Sequence, residues 1–522
     1  MLWFALHLPL LSLEAFCATL APDAQQRPIA LLDGHAISAV NAAAVQCSIR
    51  PGCKRATALA LSSQLLLAEA DAGRDAAALL AVAHAALAFT PSVCLHDGHT
   101  VLLEVQASLR LFGGAAALLM RLQEAVQPLG HQVHLAAAPT ALGAALLARW
   151  YPPAVRGGQV LGPQATQRPA MQQQLQAAPV HLLGPGREHW EALQGMGLQT
   201  LADLRALPRT GLARRFGESL LDELDRTWGD RPDPRVWLQL PERFETRLEL
   251  YARADTTDQV LHGASVLLAR LVAWAQARQS RVAAFTLCMH HDRRHRDSAP
   301  PATQLHVALA EPALDPAHLH SLLRERLGQL QMAAPTLELR LHCQHLVQAS
   351  APNGELFPSR AGAAEGLTRL IERLRARLGD AQVLGLQAVA DHRPEHASRA
   401  LPVQGLGAPP APATGTSQGR GADGSFTPTP GPLVPLPLHR PAWLMPEPLP
   451  LAERDALPLL EGRPLQLLSG PERIETGWWD GHSVARDYFI AQAHDGSLVW
   501  VWRGRLPAAQ GDVNWFLQGR FA

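Results

Sequence analysis

Residues 401–441 constrain the fold most. They are rich in Pro, Gly, Ser and Thr and carry no apolar periodicity that a core could use. A segment this long and this composed does not sit inside a compact domain. It reads as a disordered or polyproline-like linker that divides the chain. About 400 residues precede it, too many for one hydrophobic core. About 80 follow, with strand signals in VARDYFIAQ and SLVWVWR around the turn residues HDG, the pattern of a β-hairpin. The chain of 522 residues is 47% hydrophobic and 18% charged, which excludes wholesale disorder.

Charge gives no shortcut to function. Basic and acidic residues number 46 each, and Lys54 is the single lysine. Any contact with nucleic acid must come from local arginine patches. Six scattered cysteines form no CxxC pair and predict neither a disulfide framework nor a zinc site. The first 21 residues lack a basic n-region, and His7, Pro9 and Glu14 interrupt them. They read as a strand over residues 2–7 followed by a turn and helix. No membrane segment is expected, and the expected location is the cytoplasm.

Periodicity sets the remaining organisation. Residues 1–175 alternate strand-like and helix-like stretches, with helices predicted over 56–70, 74–88, 115–127 and 140–150. Residues 176–238 read as short helices. Residues 239–350 follow a βαββαβ order: strand, helix 258–278, strand 281–290, strand 303–309, helix 316–330, strand 336–347. Residues 351–400 form an extension with a helix over 361–378, in which Leu367, Leu370, Ile371, Leu374 and Leu378 share one face and Gly379 marks the end. The fold class is multidomain α+β with a small β-rich C-terminal region over 442–522.

The strongest local motif is LQGMGLQTLADLRALPRTGLARRFG, residues 193–217. A helix runs into Gly195 and Gly197, and Thr200 sits early in the next helix, as in a helix-hairpin-helix. Glycines there let backbone N–H groups approach a phosphate closely. Arg205, Arg209, Arg214 and Arg215 follow and could neutralise further phosphates, which positions a protein without reading sequence. The alternative is an ordinary αα-hairpin. His290, His291, His295 and His306 invite a metal reading, but they lie beside arginines with no orienting partner, so an exposed basic loop is expected.

Helix-hairpin-helix after an α/β domain, then βαββαβ, resembles the Y-family translesion DNA polymerases. Phe4 to Glu14 is similar to that family's opening strand-turn-helix, Ser48 to Cys53 to its finger motif, and Asp97 to Gly114 to its second palm hairpin. The resemblance implies a palm over 1–175 with fingers inserted at about 15–88, a thumb over 176–238 and a little finger over 239–350. It also implies which residues should hold two Mg²⁺ ions, and here they are absent. The three metal carboxylates fall on Ala5, His99 and Thr100. The finger Tyr and Arg fall on Ala42 and Val45, the palm Lys on Ala141 and the aromatic steric gate on Leu10. No catalytic residue, nucleotide site, resident metal or cofactor is therefore expected. The alternative is an active polymerase with displaced carboxylates, using Mg²⁺ and the nearby Asp97 and Glu104. Glu104 would lie roughly 13 Å along a strand from Thr100.

After the little finger, Asn353-Gly354-Glu355-Leu356-Phe357 resembles a sliding-clamp motif, with Asn353, Leu356 and Phe357 as its anchors. An ordinary loop with two apolar anchors is the competing reading. Gln329-Leu330-Gln331-Met332 is a rival at a helix end where Leu330 suits the core. The tail, with GPERIETGWWDG and WFLQGRF, resembles that of the polymerase-like subunit of the bacterial mutasome. That likeness implies a RecA-like accessory subunit and an error-prone C-family DNA polymerase as partners, beside the primer-template DNA expected at the hairpin arginines and the sliding clamp expected at Leu356 and Phe357.

Overall fold

The computed structural model describes residues 1–150, 154–156, 159–161, 165–292, 300–348, 360–379, 381–402, 440–441, 443–505 and 514–521. Two compact units divide the chain, Met1–Arg377 and Leu378–Ala522.

The first unit opens with a four-stranded antiparallel sheet in the order Val93–His96, Thr100–Glu104, Trp3–His7, His134–Ala138. Its strands are apolar on both faces because both are covered. Phe4, Leu6, Val101, Leu103 and Leu135 pack on the helices Ala72–Leu87 and Ala115–Val126. Trp3, Ala5, Leu102 and Ala136 pack in a second cluster with the helix Ala141–Trp150 and the helical unit that follows. The sheet lies within residues 1–175, where the resemblance places a palm.

The finger region holds a small three-stranded sheet. Ile29–Asp33 pairs antiparallel with Ala36–Val40 and parallel with Leu66–Glu69. The helix expected over 56–70 therefore ends at Leu61. Leu66 to Glu69 instead complete the ladder of Ile29 to Leu32, and that long-range pairing overrides the local helical propensity.

The helical unit comprises short helices between Arg168 and Trp228, so it starts before residue 176. The βαββαβ module follows as expected. Its strands Phe244–Ala254, Ser280–His291, Ala302–Ala313 and Thr336–Gln348 form a sheet in the order first, fourth, second, third. The helices Thr257–Ala277 and Pro316–Gly328 cover one face. Thr257–Ala277 is long and apolar enough to cross a membrane by length and composition, but it is mostly buried as core of this module. Leu330 also packs against that core, as expected of the rival clamp segment.

The helix Arg360–Leu378 corrects the sequence reading of its face. Leu367, Leu370, Leu374 and Leu378 are exposed, while Thr368, Glu372 and Ala376 are buried. The strand Ala302–Ala313 is a sheet edge, with backbone donors free to be capped. The Glu372 carboxylate accepts from the N–H groups of Ala310 and Glu311 and bonds His318 Nε2 at 2.8 Å. A buried carboxylate satisfied this fully fixes which face turns inward.

In the second unit, seven antiparallel strands run in the order Arg463–Pro464, Leu457–Leu460, Trp443–Arg454, Trp515–Arg520, Leu498–Gly504, Val484–Gln492, Gln466–Thr476. The expected hairpin is present, turning at Gly496. Tyr488, Trp500 and Trp515 are core, whereas Trp478 and Trp479 are 74% and 56% exposed and meet edge to face. Residues 384–402, expected to extend the clamp-motif region, form a hairpin that belongs to this unit. Arg393 bonds Asp391 and Asp480, and Glu395 bonds Arg486 and Gln518, so partners about 90 residues or more away settle the assignment.

Candidate functional site

The palm face that would hold metal carboxylates is built from three adjacent strands. Ala5 lies opposite Leu102 and Ala136 and is fully buried. The register places His7, two residues further along, opposite Thr100 on one side and His134 on the other. His7 Nδ1 bonds Thr100 Oγ1 at 3.0 Å, and both residues are buried. The structure thus brings Thr100 together with His7 and leaves Ala5 deeper in the strand. His99 is exposed in the turn, and its carbonyl accepts from Leu8 N–H at 2.8 Å. Parity could have revealed His7, since residues 5 and 7 share a face.

The two acidic candidates sit at opposite ends of one strand. Asp97 occupies the turn with φ of 50° and pairs with Arg149 at 3.6 Å. Glu104 lies across from Trp3 and accepts from Gln106 N–H at 3.2 Å. Among the described residues, no group of three His, Cys, Asp or Glu side chains could hold a metal.

The nucleotide-pocket positions are spread through the fold. Leu10 packs with Leu13, Phe16, Ile29 and Leu31. Ala42 and Val45 are exposed on the helix Ala42–Gln46, which Asn41 caps. Ala141 is buried at the start of its helix.

Burial dominates the electrostatics here. It pulls the imidazole of His7 down to about 4, with Asp97 opposing. Burial alone takes His84, on the helix Ala72–Leu87, to about 4. Between these values and the ordinary 6.5, the unfolded chain binds protons that the folded chain refuses. Stability is thus expected to fall as pH drops from 6.5 towards 4, by at most about 1.4 kcal/mol per histidine per pH unit. Urea unfolding at pH 7 and pH 5 checks this. His84→Leu should flatten the slope, and an unchanged slope would remove His84 from the account.

The helical hairpin is present as expected. Trp190–Gly195 leads through Met196 into Gly197 at φ +79°, a conformation that favours glycine, and a side chain on Gly195 would meet open space. Thr200 is the N-cap of Leu201–Ala206 and not a residue within it, closing a capping box with Asp203. The arginines divide. Arg209 grips Asp225 with two bonds of 2.9 and 2.6 Å. Arg205 bonds Asp230 at 3.0 Å and lies over the Trp228 ring. These two, expected at phosphates, are held by acids of the following helix and loop that sequence spacing did not connect to them. Arg214 and Arg215 are exposed on Arg209–Phe216 and form no ion pair among the described residues.

The histidines do not converge. His291 is buried and bonds Thr303 at 2.7 Å, His306 bonds Thr286, and His295 lies outside the described residues. The uncovered face of the βαββαβ sheet alternates charges, with Glu245, Arg247 and Glu249 beside His342, Arg340 and Glu338. The proposed clamp anchors Asn353, Leu356 and Phe357 also lie outside the described residues.

The four-stranded sheet, the helical hairpin unit and the βαββαβ module follow one another in the chain order that the resemblance to Y-family polymerases leads one to expect. Among curated proteins the chain is similar to Protein ImuB of Caulobacter vibrioides, in strains NA1000 / CB15N and ATCC 19089 / CIP 103742 / CB 15. Each is 26% identical over 484 residues, 90% of this chain and 99% of the relative. No protein-family model matches. Similar solved structures include a Dbh ternary complex (12% identity, TM-score 0.38) and DinB from Sulfolobus solfataricus (14%, TM-score 0.37), each covering 67% of this chain and 100% of the other.

Proposed function

We propose that this chain is a non-catalytic, polymerase-like scaffold for translesion DNA synthesis and damage-induced mutagenesis. The observation that carries this reading is the palm face. A metal-dependent polymerase needs converging carboxylates to hold its ions. The matched positions offer a buried methyl at Ala5, a hydrogen-bonded hydroxyl at Thr100 and a solvent-facing imidazole at His99. What remains useful is binding. Arg214 and Arg215, exposed on the hairpin unit and without an ion pair among the described residues, would meet the backbone of primer-template DNA. Asn353, Leu356 and Phe357 would dock the protein on the sliding clamp. The C-terminal unit would recruit an ImuA-type RecA-like subunit and an error-prone C-family polymerase, as the likeness to ImuB supports. Such a protein would act in the cytoplasm, at the nucleoid.

Fluorescence anisotropy with labelled primer-template tests the DNA role. Changing Arg214 and Arg215 together to Ala is expected to weaken binding evenly across sequences. The slope of log affinity against log salt should fall by about 1 to 2, roughly one per phosphate contact. A loss that depends on base sequence would contradict backbone contact.

A further inference from the structure

The first unit contains a cavity of about 320 Å³ where the helix Leu11–Cys17, the start of the helix Ala72–Leu87 and the strand Phe244–Ala254 meet. Arg270 reaches it from the long helix of the βαββαβ module. Arg270 is only 6% exposed, and no carboxylate among the described residues acts on it. Nη1 finds only Thr246 Oγ1 at 3.3 Å and the Arg247 carbonyl at 3.5 Å. A guanidinium carries five N–H donors, so most of this one's capacity is unmet. Burial alone pulls its pKa down to about 10. A buried cation left this way is costly unless something pairs with it.

The rest of the lining favours an anion. Arg247 and Arg74 join Arg270. Arg74 Nε has no hydrogen-bond acceptor but lies 3.9 Å from Asp75, Nη2 donates to the Glu69 carbonyl at 3.0 Å, and the guanidinium lies over the Phe16 ring. The first turn of the 16-residue helix Ala72–Leu87 faces the same space through Gly73 and Arg74, adding the positive end of its dipole. Asp71 and Glu249 are the opposing carboxylates. Asp71 is already committed to capping, accepting Arg74 N–H at 2.6 Å. Asp75 pairs with Arg74 at 3.9 Å, so the guanidinium of this lining that is buried and without a carboxylate partner is that of Arg270. Phe16 and Tyr251 wall it, edge to face at 5.3 Å.

We propose that this cavity binds a phosphate group, carried either by a free nucleotide or polyphosphate or by a nucleic-acid backbone, with Arg270 as its buried anchor. The site is separate from the palm positions and from Arg214 and Arg215, and it does not depend on the scaffold reading. The full chain is tested by thermal unfolding with inorganic pyrophosphate, against chloride at matched ionic strength, and by anisotropy with labelled single-stranded DNA. Pyrophosphate at ten times its Kd should raise the melting temperature by about 2 °C. Arg270→Met should abolish that response without lowering the ligand-free melting temperature, because it removes a buried unpaired charge. Should Arg270→Met fail to fold, Arg247→Gln, at an exposed position, should weaken the response at least threefold. A response to pyrophosphate lost in the variants assigns a free phosphate source. No pyrophosphate response, with DNA affinity reduced by the variants while Arg214 and Arg215 are intact, assigns the nucleic-acid backbone. A wild-type chain with no pyrophosphate response, and variants that bind DNA normally, would overturn the proposal.

Discussion

Primer extension by the purified chain with Mg²⁺ or Mn²⁺ is expected to give no product above background. Each catalytic metal ion stabilises a phosphoryl-transfer transition state by several kcal/mol, and about 1.4 kcal/mol is a factor of ten in rate. Loss of both ions is thus worth four orders of magnitude or more. The acids that could substitute are Asp97, paired with Arg149, and Glu104, at the far end of the same strand. Robust incorporation that disappears in Asp97→Asn or Glu104→Gln would reverse the non-catalytic reading. Restoring one carboxylate should not restore activity. Ala5 has no exposed surface and packs against Leu102 and Ala136, so Ala5→Asp would bury an unpaired charge. The expected result is a loss of several kcal/mol of stability, read by urea unfolding, without gain of turnover.

The second large effect is expected at the clamp. Replacing Leu356 and Phe357 together by Ala should reduce sliding-clamp affinity about 100-fold or more. Anchor residues that fill a desolvated pocket contribute about 2 kcal/mol or more each, and 1.4 kcal/mol is tenfold. Pull-down and calorimetry with the full chain measure it. Leu330→Ala is the control for the rival segment. Leu330 packs on the βαββαβ core, so its loss should lower stability before it lowers clamp binding. Clamp binding that survives the double substitution would remove Leu356 and Phe357 as anchors.

Legibility in the sequence followed the range of the interactions. The βαββαβ order was readable because each element repeats its apolar residues at its own period. The glycine turn at Gly197 was readable because its backbone conformation favours glycine. Thr200 was placed to within one position, since a cap and the first helical turn differ only in backbone angles. The finger strand Leu66–Glu69 was not readable. Nothing in four residues announces a parallel partner more than 30 residues earlier. The phosphate cavity was equally hidden, since Phe16, Arg74, Arg247 and Arg270 come from four separate elements and carry no local pattern.

The sequence by itself determined the order of the modules and the absence of acidic side chains at Ala5, His99 and Thr100. Those are properties of residue identity and local period, and folding cannot alter them. The expected division at 401–441, most of which lies outside the described residues, moved to Arg377/Leu378 in the structure. The tertiary structure decided which groups are spent on the fold and which are left to act. Asp225 and Asp230 take Arg209 and Arg205 and leave Arg214 and Arg215 exposed. A sheet edge and His318 draw Glu372 inward and leave the leucines of its helix outside. Register sets His7, and not Ala5, against Thr100. In each case a charge or hydrogen-bonding group had to find a partner far along the chain before it could be buried, and only the packed structure settles which partner that is.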